Sequence, residues 1–388
     1  MKANPGGQID PSEVIGRDEL IKRLWEILDR QSLILSAERR IGKTSVIQKM
    51  RAEAPQDKLP IYRDLEQVHT LLEFGELVFE DVERYLSGLK RTAERTRRFI
   101  SQLSGGEVTG IFKLPAVIAP HWKTLLTKIV EDLVEHQDRR VIFFWDELPM
   151  MLDNIRKREG DELVMEVLNT LRALRQTHPG LRMVFTGSIG LHHVIASIKQ
   201  AGYSNSPTND MYHEEVPPLS AAYAQELARL LIEGEAIPFD DMQTTTLAIA
   251  SGVDCVPFYI HHLVDQMKQR KCAANAATAG DIIASFLMDK HDRWDLQHYR
   301  NRIDTYYGAS ERISALNLLD ILCTAESPLL FDDLFNLLKT RQTTGDDEAV
   351  RRVLGLLERD HYVARQSNGA YSFRLQLIRR WWRLDRGV

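Results

Sequence analysis

Residues 31–50 read QSLILSAERRIGKTSVIQKM, and this stretch constrains the fold more than any other. The apolar run Leu33-Ile34-Leu35 predicts a short buried strand, Ala37 to Gly42 a tight loop, and Lys43 onward the first turn of a helix. Such a loop turns its backbone N–H groups toward one point, and the positive end of the following helix favours an anion there. Ala37, Glu38, Arg39, Arg40, Ile41 and Gly42 would therefore wrap a phosphate, with Gly42 letting the main chain approach it closely. In a nucleoside triphosphate site, Lys43 reaches the β- and γ-phosphates. The Thr44 hydroxyl completes the shell of a Mg²⁺ ion, and Ser45 stands behind it as a second, weaker hydroxyl. Ala37 stands where the motif usually has glycine; it adds one methyl and loses the freedom to sit at positive φ. A bare Gly-Lys-Thr would also suit an ordinary turn capping a helix, so a second signal is needed.

That signal is Arg140-Val141-Ile142-Phe143-Phe144-Trp145-Asp146-Glu147. An apolar run ending in two acids describes a central parallel strand, buried on both faces, that delivers carboxylates to the crevice at its C-terminal end. Asp146 would hold Mg²⁺, usually through a water, and Glu147 would orient the attacking water. Phosphoryl transfer needs positioning and charge neutralisation more than covalent chemistry. A third strand, Arg182 to Thr186, ends in Thr186-Gly187-Ser188; Thr186 and Ser188 are candidates for sensing the γ-phosphate or holding the lytic water. Ser188 could equally cap the helix that follows.

Several segments together resemble the prokaryotic ATPase_2 (archaeal-type) ATPases of the STAND branch, near the AAA+ and origin-recognition ATPases. They are Val14-Ile15-Gly16-Arg17-Asp18-Glu19-Leu20, the loop through Ser45, Tyr62-Arg63-Asp64-Leu65, Asp146-Glu147-Leu148-Pro149 and Thr186-Gly187-Ser188-Ile189-Gly190. The resemblance implies an α/β fold: a P-loop core with a parallel sheet, a helical lid and a C-terminal winged helix, with ATP acting as a switch. It implies that Ile15 and Arg17 lie by the adenine and that Pro257, in the lid stretch Ser251 to Ile260, packs there too. Cys255 stands where that family usually has glycine, which puts the lid contact in question.

Composition agrees with a large globular chain. With 388 residues, 44% hydrophobic and 27% charged, it can build two or three domains with cores of their own. No apolar run approaches the ~18 residues of a membrane span, and Met1 to Gly7 contains no apolar stretch of the kind a secretory signal needs. Cys255, Cys272 and Cys323 are widely spaced without metal-site spacing, as expected of reduced thiols in a cytoplasm. A net charge of −5 argues against wholesale coating of nucleic acid.

The expected organisation is a flexible arm over 1–12, an ATPase core over 13–215, a helical lid and connector over 216–308, and a winged helix over 309–388. Within the core, about 73–120 reads as a charged helical and loop insertion, with a hairpin or loop between Ser104 and Pro120. The basic run Lys90 to Arg98 could touch phosphates, although a solvated helix face explains it better. In the last segment, three helices precede a hairpin turning at Asn368-Gly369, the pattern of a winged helix. Over 311–388 there are 12 Lys and Arg against 11 Asp and Glu, and Glu348, Glu358 and Asp360 sit on the helix that would read a major groove. Trp381 and Trp382 could stack on bases, anchor a partner or pack inward; packing is expected for one of them. His192-His193 and His261-His262 are expected to be ordinary surface or core histidines.

Two functions follow: an ATP-hydrolysing switch acting on a protein partner or on its own oligomer, or a DNA-binding regulator in which ATP serves assembly. Hydrolysis could then need an arginine supplied in trans. Arg172 and Arg175 share a face of the helix before the third strand and are the candidates, with Arg182 a third choice.

Overall fold

A computed structural model describes residues 1–87, 94–104, 116–187, 190–200, 206–342 and 346–388. Contacts divide the chain into two compact units. One comprises Asp18–Ser36 and Lys43–Val216; the other comprises Met1–Arg17, Ala37–Gly42 and Pro217–Val388.

The first unit is α/β. Its strands β1 (Leu33–Ser36), β2 (Lys58–Asp64), β3 (Arg140–Asp146), β4 (Leu181–Thr186) and β5 (Tyr212–Glu215) form one sheet in the order β2-β3-β4-β1-β5, all parallel. This is the strand order of a P-loop core. The helices are α1 (Asp18–Leu28), α2 (Lys43–Ala52), α3 (Leu71–Ser87), α4 (Glu94–Ser104), α5 (Trp122–Glu135), α6 (Leu148–Glu159), α7 (Asp161–Thr177) and α8 (Leu191–Gln200). They supply the crossovers that parallel strands require. Val141 to Asp146 are all buried, as a strand covered on both faces must be. Phe143 and Phe185 stack on either side of Trp145, at 5.0 and 6.1 Å between ring centroids, so the acids that follow leave a rigid strand.

The charged insertion is helical where it is described. Arg95 pairs with Glu135 at 2.8 Å, and the Arg97 Nε donates to Glu83 at 3.1 Å. These described members of the basic run thus serve pairing within the helices; residues 90–93 and most of the expected hairpin at 104–120 lie outside the described residues.

The second unit contains α9 (Ala221–Gly234), α10 (Met242–Gly252), α11 (Pro257–Gln269), α12 (Ala276–Leu287) and α13 (Gln297–Tyr306), then α14 (Ala309–Thr324), α15 (Phe331–Arg341) and α16 (Asp347–Arg359). The antiparallel hairpin β6 (Val363–Arg365) and β7 (Tyr371–Phe373) and the helix α17 (Gln376–Arg386) complete it. Three helices and a hairpin form the winged-helix arrangement. Gly369 takes φ +87° in the turn, and the Asn368 side chain accepts from the Ala370 N–H at 3.0 Å.

Three expectations change here. Residues 1–12, expected as a flexible arm, are engaged: the Ala3 N–H donates to Glu235 at 2.9 Å and the Asn4 N–H to His261 Nδ1 at 3.2 Å. Both tryptophans are buried, and the Trp382 indole donates to Asp320 at 2.8 Å, which leaves neither as a stacking platform. Asp360 is fully buried, so it cannot repel DNA from the surface of α16. His261 is buried and accepts a backbone N–H; burial lowers its pKa to about 4, as for a neutral core histidine. Among the described residues, no helix is long and apolar enough to cross a membrane.

Candidate active site

The elements that bear the motif residues lie at the C-terminal ends of β1, β3 and β4 in the first unit. α2 begins at Lys43, so Lys43 and Thr44 occupy its first turn. The Thr44 hydroxyl donates to Asp146 Oδ2 at 2.8 Å. Asp146 is 4% exposed, and its other oxygen accepts from the Thr186 hydroxyl and from the Glu147 N–H at 3.2 Å. One carboxylate thus joins the ends of three elements that are far apart in sequence.

Tyr62, on β2, was not assigned a role from sequence. Its hydroxyl lies 3.5 Å from the Asp146 oxygen that meets Thr44. Burial, and then the charge of Asp146, push the phenol above its ordinary range and keep it a proton donor. The signal was its place in β2, two residues before Asp64, which is in register with Asp146. Side chains two apart on a strand share a face.

Glu147 follows directly with φ +54° and ψ +29°, left-handed for a residue with a side chain, and it opens α6. Such a conformation costs on the order of 1–3 kcal/mol and persists only where the surroundings impose it. Ser188 lies outside the described residues; Thr186, the other sensor candidate, is at Asp146.

The residues Ala37–Gly42, expected to wrap a phosphate, belong to the second unit. Arg40 sits at φ +70° and Gly42 at φ +98°, whereas Ala37 is not among the positive-φ residues. Alanine therefore suits the first loop position, and the conformational demand falls on Arg40 and Gly42. Arg17 is 4% exposed and donates to the Ile41 carbonyl at 3.0 Å and the Pro217 carbonyl at 2.7 Å. Burial lowers its pKa to about 10. Its guanidinium is engaged in bracing the loop's main chain. Ile15, beside it, is half-buried, and Gly16 at φ +69° leaves no room for a side chain against Tyr223.

Glu38 is 3% exposed, and its Oε1 accepts from the Arg39 N–H at 2.8 Å. The Arg39 guanidinium meets Asp295 at 2.9 Å, Arg40 approaches the same carboxylate at 3.6 Å, and Arg40 also lies over the Phe258 ring at 4.3 Å. Ser45 is half-buried on α2, and Pro257 opens α11 as a first-turn proline.

Cys255 takes φ +58°, the conformation a glycine would supply, and its carbonyl accepts from the Leu219 N–H at 3.1 Å. The lid turn therefore keeps a glycine-like backbone without glycine. Cys255→Val is predicted to lose about 1–3 kcal/mol of stability, because a β-branched residue is poorly accommodated at positive φ. Cys255→Gly is predicted to lose none. Chemical denaturation of both checks this, and equal loss in the two would refute it.

The arginines expected to act in trans are engaged within the first unit. Arg175 is buried and grips Asp210 with two hydrogen bonds, at 2.9 and 2.8 Å, and donates to the Pro207 carbonyl at 2.9 Å. Burial pushes Asp210 up, but the Arg175 guanidinium holds it below the usual carboxylate range. The assignment of Arg175 as a finger is corrected accordingly: its charge is spent on the segment leading into β5. Arg172 donates to the Ser206 carbonyl at 3.4 Å, and Arg182 donates to the Leu28 carbonyl at 3.0 Å at the opposite end of the strands. Arg175→Ala is predicted to cost about 3–5 kcal/mol of stability, since it leaves a partly buried carboxylate unpaired. Thermal unfolding tests it, and an unchanged transition would contradict the structural role.

No protein-family model matches the sequence, and no curated protein sequence does. Solved structures do match the fold. The Walker-type ATPase PABY2304 of Pyrococcus abyssi is similar over 99% of this chain and 100% of its own, with 14% identity and a TM-score of 0.65. The ORC2 protein of Aeropyrum pernix, solved in ADPNP-ADP complexes, is similar over 98% and 97%, with 10% identity and a TM-score of 0.53. The likeness establishes that the chain has the fold of these ATPases.

Proposed function

We propose that the chain binds ATP with Mg²⁺ and hydrolyses it, working as a molecular switch of the STAND and AAA+ kind that couples nucleotide state to a partner or to its own assembly. The observation that carries this reading is the 2.8 Å hydrogen bond from Thr44 to Asp146, with Glu147 held next to it. A hydroxyl opening the helix after a phosphate loop and a carboxylate at the end of a buried strand form the donor pair that suits a divalent ion. Thr44 and Asp146 would hold Mg²⁺, and the bound ion would neutralise charge on the phosphates. Lys43 would bind the β- and γ-phosphate oxygens and Glu147 would orient a water toward the γ-phosphorus. Thr186 and Tyr62 fix the orientation of Asp146. The water oxygen would bond to the γ-phosphorus as its bond to the bridging oxygen breaks, giving ADP and inorganic phosphate, with the water's proton released to solvent. The nucleotides named with ORC2 support adenine nucleotides as the ligands.

The alternative, an ATP-dependent DNA-binding regulator, finds less support. The exposed face of α16 carries Asp347, Glu348 and Glu358 beside its arginines, and Arg351 is paired at 3.4 Å with Glu348. A phosphate-dominated interface needs unopposed basic charge. Release of phosphate from ATP by the purified protein tests the main reading. Slow turnover that stops when Mg²⁺ is chelated is expected; salt-dependent DNA binding by a protein that does not bind ATP would overturn it.

A further inference from the structure

Glu38 is the only acid among the loop residues Ala37–Gly42, and its charge has the same sign as the phosphates that such a loop receives. It is 3% exposed and lies 3.8 Å from Arg302 of α13. Arg302 is 4% exposed and is held at 2.6 Å by Asp360, the residue that ends α16 of the winged helix. Asp360 is fully buried and also accepts from the Tyr307 hydroxyl at 2.6 Å, while Arg302 lies 5.5 Å from the Tyr362 ring centroid. A guanidinium this deeply buried would ordinarily be costly; it is retained because two carboxylates face it. Burial pushes its pKa down, but Asp360, Tyr362, Glu38 and Tyr307 together outweigh that, and the group stays charged.

We propose that Arg302 is a positioning residue of the phosphate loop: anchored by Asp360 of the winged helix, it draws the Glu38 carboxylate toward α13 and cancels its charge, keeping the loop receptive to an anion. The proposal rests on the nucleotide-binding reading above. It ties the electrostatics of the loop to a buried residue of the winged helix, so the two share one cation.

The test is calorimetric titration of ATP into the full chain and its variants. Arg302→Met should weaken ATP binding at least tenfold, and Arg302→Lys should retain most of the affinity. Adding Glu38→Gln to Arg302→Met should restore affinity to within about threefold of wild type. Adding Asp360→Asn instead should not, because the unneutralised acid that matters is the one in the loop. A purely architectural Arg302 would give the reverse, since removing its buried partner Asp360 would then be the repair. Far-UV circular dichroism of each variant guards against misfolding of the Arg302 variants. Wild-type affinity in Arg302→Met, no gain in affinity when Glu38→Gln is added to a folded Arg302→Met, or rescue by Asp360→Asn alone would each overturn the proposal while leaving the nucleotide reading intact. Failure of the wild-type protein to bind ATP would overturn both.

Discussion

Lys43→Ala is expected to abolish ATP binding, lowering affinity by at least a hundredfold. Lys43 opens α2 directly after Gly42 and is proposed to supply the lysine charge for the β- and γ-phosphates. Its loss leaves several negative charges to the helix dipole and main-chain N–H groups, which bind an anion more weakly than a lysine assists it. The substitution should leave the fold alone, since alanine is the best helix former and the position is half-buried in a first turn. Competition with a fluorescent ATP analogue checks it. Unchanged affinity in a normally folded variant would remove the phosphate-loop assignment.

Glu147→Gln is expected to bind ATP with near wild-type affinity while losing at least a hundredfold in turnover. The amide keeps the size of the side chain and the left-handed turn at the start of α6, but it no longer provides the carboxylate proposed to orient water. Asp146→Ala should behave differently and damage Mg²⁺-dependent binding itself, because Asp146 accepts hydrogen bonds from Thr44 and Thr186. Single-turnover measurement of phosphate release separates the two. Wild-type turnover by Glu147→Gln would show that another group positions the water.

The parts of the fold that were legible in the sequence are those fixed by local pattern. An apolar run ending in Asp146-Glu147 has few solutions other than a central parallel strand, and β3 is buried from Val141 onward. Asn368-Gly369 between alternating residues predicted the hairpin because only certain residues accept the required positive φ. What the pattern could not convey is the pairing of polar side chains across long separations. Arg175 and Arg172 share a helix face, but which of them finds a partly buried carboxylate depends on where Asp210 is carried, 35 residues later. Tyr62 reads as one aromatic in a strand until β2 is in register beside β3. Glu38, Arg302 and Asp360 look like three ordinary surface charges in the sequence, and burial makes them a network. Cys255 signalled a lost glycine, yet its backbone takes the glycine conformation at the expense of strain.

The central claim is that Lys43 and Thr44 at the start of α2 and the acids at the end of β3 serve one nucleotide. Calorimetric titration of MgATP into the wild-type chain tests it most directly. One ATP bound per chain, with affinity that falls when Mg²⁺ is chelated and vanishes in Lys43→Ala, is the predicted result; no saturable ATP binding by folded wild-type protein would contradict it.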